Sequence, residues 1–116
     1  MSGQNFPESF SGIGSALLYA DNVPLGNGET RDAGPLRTHV STLGIDISAD
    51  RDCTVTIIRC PDGVTAGAQS VVAQITAGQP AFLQYSQLLC QAVKVRVVNL
   101  GGSAMTSFAM YVRGGA

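Results

Sequence analysis

The sequence predicts an all-β protein, an antiparallel β-sandwich of two sheets with a jelly-roll-like layout. Three observations indicate this fold class. Apolar and polar residues alternate with a period of two through several short segments, which places the apolar side chains on one strand face. These segments recur about every 8 to 12 residues between glycine- and proline-containing turns, a spacing typical of sandwiches and barrels. No stretch carries the i, i+3, i+4, i+7 apolar spacing of a helix.

The chain begins with a polar, glycine-containing segment, residues 1–12, which we interpret as a flexible N-terminal arm ahead of a single domain, residues 13–116. Pro7 interrupts this segment, and Phe6 and Phe10 are its isolated apolar side chains. A frayed terminus is the alternative interpretation. If the segment is an arm, Phe6 and Phe10 are the side chains that dock it onto a neighbouring subunit.

The first part of the domain holds a predicted strand, a long loop and two further strands. The apolar cluster IGSALLYA (13–20) predicts the first strand, whereas residues 21–35 are dense in glycine, proline, asparagine and aspartate and predict a loop. Alternation predicts the next strands in THVSTLGIDIS (38–48) and CTVTIIRC (53–60). The acidic segment DISADRD (46–52) predicts an exposed hairpin corner between them.

The rest of the chain predicts four more strands. They lie in QSVVAQITA (69–77), AFLQYSQ (81–87), AVKVRVVNL (92–100) and MTSFAMYVR (105–113). Two turns are predicted from the conformational preferences of their residues. In PDG, Pro61 fixes φ, Asp62 can bond to nearby backbone, and Gly63 supplies a left-handed conformation. The glycines of NLGGSAM predict a hairpin loop between the last two strands.

The alternation also predicts which side chains face the core. They are the apolar residues on one face of each regular strand: Leu43, Ile45, Ile47, Val55, Ile57, Val93, Val95, Val97, Phe108 and Met110.

Composition limits the classes of partner. The net charge is −1 with Lys94 as the only lysine, so the chain lacks the basic stripe of a nucleic-acid binder. No apolar run of about 20 residues predicts a membrane span, and no secretory leader is evident, so we expect folding in a reducing host cytoplasm. Charged residues make up only 13% of the chain, about half the usual share. Such a surface is easily desolvated and favours association.

The three cysteines predict structural thiols. If residues 53–60 form one strand, Cys53 and Cys60 lie about 23 Å apart on opposite faces, too far for a disulfide or a shared metal. No CxxC pair gives a zinc signature. We expect buried, inert thiols, with a bridge from Cys90 to one of the other two as the alternative.

The single histidine and three aspartates are the next candidate site residues. His39, the only histidine, has Ser41 and Asp46 nearby, but no nucleophile elbow supports a triad, so a structural or surface histidine is expected. Asp46, Asp50 and Asp52 could offer oxygen ligands to calcium, yet the EF-hand frame is missing and solvated turn residues are expected.

The remaining candidates concern ligand binding. Neither GIGSA nor GNGE links a strand to a helix, so neither predicts a phosphate site. Tyr19, Tyr85 and Tyr111 lie on separate segments, and one of them could form an aromatic platform for a sugar. No cofactor and no catalytic residue is predicted, and we expect the protein not to be an enzyme.

From residue 39 to residue 113 the layout resembles a known class of module. The features are HVSTLGIDISADRDCTVTIIRCPDG, then ITAGQPAFLQY, then AVKVRVVNLGGSAMTSFAMYVRG. They resemble small β-sandwich modules of virion proteins, as in phage tail-fibre and baseplate parts and in minor capsid or fibre proteins of large DNA viruses. The resemblance implies a jelly-roll-like sandwich, a hairpin formed by VKVRVVN and TSFAMYVR, and a place in the virion. It implies no catalytic residue.

The resemblance, together with the sparsely charged surface, implies a viral structural protein, a minor capsid, decoration or fibre-associated subunit that acts by assembly contacts. Its expected partners are copies of itself or other virion proteins. The alternative is a carbohydrate- or receptor-binding sandwich module that binds a host glycan or receptor. Self-assembly without small-ligand affinity distinguishes the first from the second.

Overall fold

A computed structural model describes residues 15–37, 42–85 and 92–115. These residues form eight strands and no helix, and hence no helix long and apolar enough to cross a membrane. The strands are β1 (Ser15–Asp21), β2 (Thr30–Arg37), β3 (Thr42–Ala49), β4 (Cys53–Cys60), β5 (Gln69–Ile75), β6 (Ala81–Tyr85), β7 (Ala92–Asn99) and β8 (Phe108–Gly115).

The strands form two four-stranded antiparallel sheets. Sheet A has the order β1-β8-β3-β6 and sheet B the order β2-β7-β4-β5. The pairs β1·β8, β2·β7, β3·β6 and β4·β5 are nested, as if one long hairpin had been folded over on itself. This order confirms the predicted two-sheet antiparallel sandwich.

The core lies between the sheets and contains all ten side chains that the alternation predicts. The register explains the match, because directly paired residues share a face. Ile45 pairs with Val112 in sheet A, and Val95 pairs with Ile57 in sheet B. The segments between strands also contribute, since Leu25 and Met105 are buried in the same cluster.

The prediction of a continuous loop over residues 21–35 is wrong, because β2 begins at Thr30. Gly34 and Pro35 suggest a loop, but β2 is an edge strand that pairs only with β7, and proline is tolerated there. The register shifts between Ala33 and Leu36. Gly34 has φ +108°, and a Cβ at this position would lie 2.6 Å from the backbone nitrogen of Leu36, so glycine is required.

The two expected hairpins are also wrong. β3 and β4 lie in different sheets, and so do β7 and β8, so DISADRD and NLGGSAM connect one sheet to the other. The hairpin of VKVRVVN with TSFAMYVR that the resemblance implies is likewise not formed. Alternation identifies a strand and its buried face but carries no information about its pairing partner.

The PDG turn is confirmed. Gly63 has φ +82° and donates its N–H to the carbonyl of Cys60 at 2.9 Å. Oδ1 of Asp62 accepts the N–H groups of Val64 and Thr65 at 2.8 and 2.6 Å. The turn therefore ends β4 by the expected mechanism.

A buried asparagine joins the loops at one end of the sandwich. Nδ2 of Asn99 donates to the carbonyls of Gly26 and Ser103, each at 2.9 Å, and makes a longer contact of 3.4 Å with the carbonyl of Leu25. Oδ1 of Asn99 accepts the N–H of Gly101 at 2.9 Å. One side chain thus satisfies backbone groups from the loop before β2 and the loop after β7.

An ion pair links the two sheets. Nη1 of Arg31 on β2 lies 3.0 Å from Oδ2 of Asp21 on β1, and Nη2 of Arg31 lies 2.9 Å from Oε2 of Glu29. Burial opposes ionisation of Asp21, but the hydrogen bond from the N–H of Val23 and the Arg31 guanidinium outweigh it and lower the pKa of Asp21. The network therefore fixes the loop between β1 and β2 against both strands.

Candidate interaction surfaces

The two cysteines that the structure describes, Cys53 and Cys60, are buried structural residues. Cys53 packs in the core between the sheets, and Cys60 is buried on the opposite face of β4, as their spacing predicts. Both are free thiols, so neither forms a bridge to Cys90, which lies outside the described residues. Burial, and to a smaller extent the Asp52 carboxylate, raises the pKa of the Cys53 thiol to about 11. A thiol with this pKa is a poor nucleophile at neutral pH.

Single replacement of Cys53, Cys60 or Cys90 by alanine is expected to leave association intact and to lower stability by roughly 1 to 3 kcal/mol. Urea denaturation measures the stability change, and sedimentation velocity measures association. A protein that a chelator unfolds, or a single replacement that abolishes association, would reveal a metal or an intermolecular bridge instead.

Hydrogen bonds to Asp50 and Asp52 fix the connection between β3 and β4. The Asp50 carboxylate accepts the Thr106 N–H at 3.0 Å, the Thr106 hydroxyl, and the Ser107 N–H at 3.2 Å. The bond from the Thr106 hydroxyl is the main cause that lowers the pKa of Asp50. Oδ1 of Asp52 accepts the Ala77 N–H at 2.8 Å. We expected solvated turn residues, whereas these two side chains attach neighbouring loops to the β3–β4 connection.

No cluster of three or more metal-ligating side chains occurs within residues 15–37, 42–85 and 92–115. Asp46 lies apart from Asp50 and Asp52, on the outer face of β3. His39 and Ser41 lie outside the described residues, and so do Phe6 and Phe10 of the predicted arm.

The three tyrosines have different environments. Tyr19 and Tyr85 are half-buried against the core, and the Tyr19 hydroxyl donates to Asp21. Burial raises the pKa of Tyr85. Tyr111 is 44% exposed on the outer face of sheet A. Tyr111 is therefore the tyrosine that the fold leaves accessible.

The register places four residues in one line across the outer face of sheet A. Ala20 pairs with Tyr111, Tyr111 with Asp46, and Asp46 with Phe82. We call this line the cross-strand row. Phe82 is 60% exposed, and its ring lies against Gly44, where an added Cβ would come within 3.1 Å of it. The row thus presents two aromatic rings on either side of a carboxylate.

Three polar side chains of this face are unpaired among the described residues. There, the Asp46 carboxylate, the Tyr111 hydroxyl and the exposed Arg113 guanidinium make no hydrogen bond or ion pair with one another or with their neighbours. The outer face of sheet B differs, because Arg96 binds both carboxylate oxygens of Asp32 at 2.7 and 3.0 Å. Sheet A therefore offers open hydrogen-bonding groups, whereas sheet B carries a closed ion pair.

Two shallow depressions flank Tyr111. One, of about 120 Å³, is lined by Asp46, Ser48, Pro80, Ala109 and neighbouring residues. The other, of about 150 Å³, lies between Tyr111 and residues 20–22. Both are small beside the roughly 300–1,000 Å³ of enclosed small-molecule sites. The face is suited to a ligand that lies on it, not to one that enters a pocket.

The sheet edges form the second candidate surface. The pairings of β1, β2 and β5 carry register shifts, and β2 also contains a proline and several charged residues, all features that discourage strand addition. β5 and β6 contain neither proline nor a charged residue. The pairing of β6 with β3 is regular throughout, which leaves β6 as the least protected described edge.

Comparison with known proteins supports the fold. No protein family model matches the chain, and no curated protein matches it significantly. The PBSX exported protein XepA superposes with a TM-score of 0.75 at 20% identity, over 88% of this chain and 37% of that one. The present chain therefore spans little more than a third of XepA.

A second structure comes from Bacillus endospore appendages, which form a family of disulfide-linked pili. It superposes with a TM-score of 0.51 at 12% identity, over 88% of this chain and 90% of that one. At these identities both similarities establish a shared β-sandwich fold and no more.

Proposed function

We propose that this protein is a structural subunit of a virion or phage-derived extracellular particle, a minor capsid, decoration or fibre-associated component that acts by assembly contacts. The observation that carries the proposal is the pair of edge strands β5 and β6, which have unpaired backbone groups on one side and no charge or proline to block a neighbour. The fold it shares with a phage PBSX exported protein and with a pilus structure supports such a role.

The contacts that we propose are non-covalent. The pili of the second comparison are disulfide-linked, but Cys53 and Cys60 are buried here and cannot reach a neighbour without local unfolding. An added strand would instead use backbone hydrogen bonds along an open edge. The fourteen residues that precede β1 include Phe6 and Phe10, and we propose that these two side chains anchor the segment on an adjacent subunit.

Deletion of residues 2–12 is expected to weaken association while the far-UV β signature stays unchanged. Each buried phenylalanine contributes about 1.5 to 3 kcal/mol, so replacing Phe6 and Phe10 by serine is expected to weaken association by about tenfold or more for each residue. Sedimentation velocity over a range of concentrations measures this. A truncated protein that associates as well as the full chain would contradict the arm.

The edges are tested separately with one type of substitution. Gln74→Lys on β5 and Gln84→Lys on β6 place a charge on an exposed edge position, whereas Gln79→Lys places the same charge in the connection between these strands. We expect the two edge variants, but not Gln79→Lys, to reduce association. A full-length chain that stays monomeric at high concentration and is missing from purified particles would contradict the structural function itself.

A further inference from the structure

We propose that the outer face of sheet A binds an uncharged, extended glycan that lies across the strands along the cross-strand row. This inference takes up the alternative of a carbohydrate-binding module, goes beyond the assembly function and does not depend on it. Its basis is the combination of two accessible aromatic rings, Phe82 and Tyr111, with an open carboxylate, Asp46, between them.

The spacing of the row suits a chain of sugar rings. Adjacent strands are about 4.8 Å apart, so Phe82 and Tyr111, which are separated by β3, stand about 10 Å apart. Each aromatic face can stack against the C–H face of a sugar ring. Gly44 lets the Phe82 ring lie against the sheet, which orients the ring before any ligand arrives.

Asp46 supplies the hydrogen bonding. An ionised carboxylate only accepts hydrogen bonds and has about four lone-pair sites, so its natural partners are groups rich in donors. Neighbouring hydroxyl groups on a sugar ring can donate two hydrogen bonds to one carboxylate. Because no described residue donates a hydrogen bond to the Asp46 carboxylate, a ligand would not have to displace one.

Other occupants fit the face less well. The backbone groups of the inner strands are already paired within the sheet, so an extended peptide would find no backbone partners there. A nucleic acid would bring a row of phosphates towards Asp46, and the strands of sheet A carry one cation, Arg113, to neutralise them in a chain of net charge −1.

A second copy of the chain is also disfavoured. The four strands of sheet A have 7, 8, 5 and 8 residues, which gives a flat footprint of about 450 Å², below the roughly 800 Å² per partner of a standard interface. Two copies stacked about a two-fold axis near the centre would also bring their Asp46 carboxylates together, and a buried carboxylate pair is unfavourable.

The test is an NMR titration of the full-length protein with four defined hexasaccharides. Three are neutral, built of glucose, mannose or N-acetylglucosamine, and hexagalacturonate is the anionic control. We expect saturable shifts of the Ala20, Asp46, Phe82 and Tyr111 amides with at least one neutral probe and none with hexagalacturonate. Tyr111→Ala and Phe82→Ala are each expected to weaken binding by about tenfold, and Asp46→Asn several-fold.

The control variants are Val64→Ala and Leu100→Ala, which remove exposed apolar side chains away from this face and should not change binding. No saturable binding to any neutral probe, or binding that Tyr111→Ala leaves unchanged, overturns the proposal. A lower oligomer mass in Tyr111→Ala without glycan binding overturns it too, because the face would then be a subunit interface. Deletion of residues 2–12 should leave glycan binding intact, which separates this test from that of assembly.

Discussion

Replacement of Val95 by aspartate is expected to unfold the domain. Val95 is fully buried at the centre of sheet B, where it pairs with Ala33 on β2 and with Ile57 on β4. No basic side chain belongs to the core cluster around it, so the new carboxylate would have no ionic partner among the described core residues. A buried, unpaired carboxylate costs several kcal/mol, which is comparable with the total of about 5 to 15 kcal/mol for a domain.

The matched control is Val98→Asp, which introduces the same side chain on the same strand but on the outer face. Val98 is half-buried there between Thr30 and Thr54, and we expect a loss of no more than about 1 kcal/mol. Far-UV circular dichroism and urea denaturation distinguish the variants. If Val95→Asp retained wild-type stability, or if Val98→Asp unfolded as readily, the assignment of the two faces of β7 would be wrong.

The strands and their buried faces could be predicted from sequence because alternation depends only on local order. β4 and β7 lie entirely within the predicted segments. The valines of β7 that face the core are the ones that the alternation predicts. β2 was missed because Gly34 and Pro35 interrupt its pattern, and only its position at an edge makes them tolerable. Pairing partners could not be predicted, since they are set by contacts between segments distant in sequence.

The same distinction between local pattern and long-range pairing applies to the outer face of sheet A. Tyr111 was identified as one of three possible platforms, but the sequence places Asp46, Phe82 and Tyr111 far apart. They come together only because β3 lies between β6 and β8 in sheet A. The roles of Asp50 and Asn99 as loop anchors were missed for the same reason, because most of their hydrogen-bond partners belong to distant segments.

Asn99→Asp is expected to produce the second large effect, and one that depends on pH. Nδ2 of Asn99 donates to carbonyls of Gly26 and Ser103 in a site where the side chain is almost fully buried. A carboxylate would place a negative charge against those carbonyls and remove both donated hydrogen bonds. The expected loss is about 3 to 5 kcal/mol at neutral pH.

The pH dependence separates the charge from the lost hydrogen bonds. The introduced carboxyl is disfavoured when ionised, so its pKa in the folded protein lies above its unfolded value of about 3.9. Between these two pKa values the folded variant binds more protons than the unfolded chain. The loss of stability caused by the charge is therefore complete at a pH above the folded pKa and disappears at a pH below the unfolded pKa. The stability difference between Asn99→Asp and the wild type should therefore shrink as the pH falls towards 4.

Two further variants complete this test. Asn99→Leu removes the same hydrogen bonds without adding a charge, so its loss relative to the wild type should not vary with pH. Asn22→Asp makes the same exchange at an exposed loop position and should cost little at any pH. Urea denaturation at several pH values measures all three. If Asn99→Asp lost no more stability than Asn22→Asp, or if its loss grew as the pH fell, Asn99 would not be the buried donor that joins the two loops.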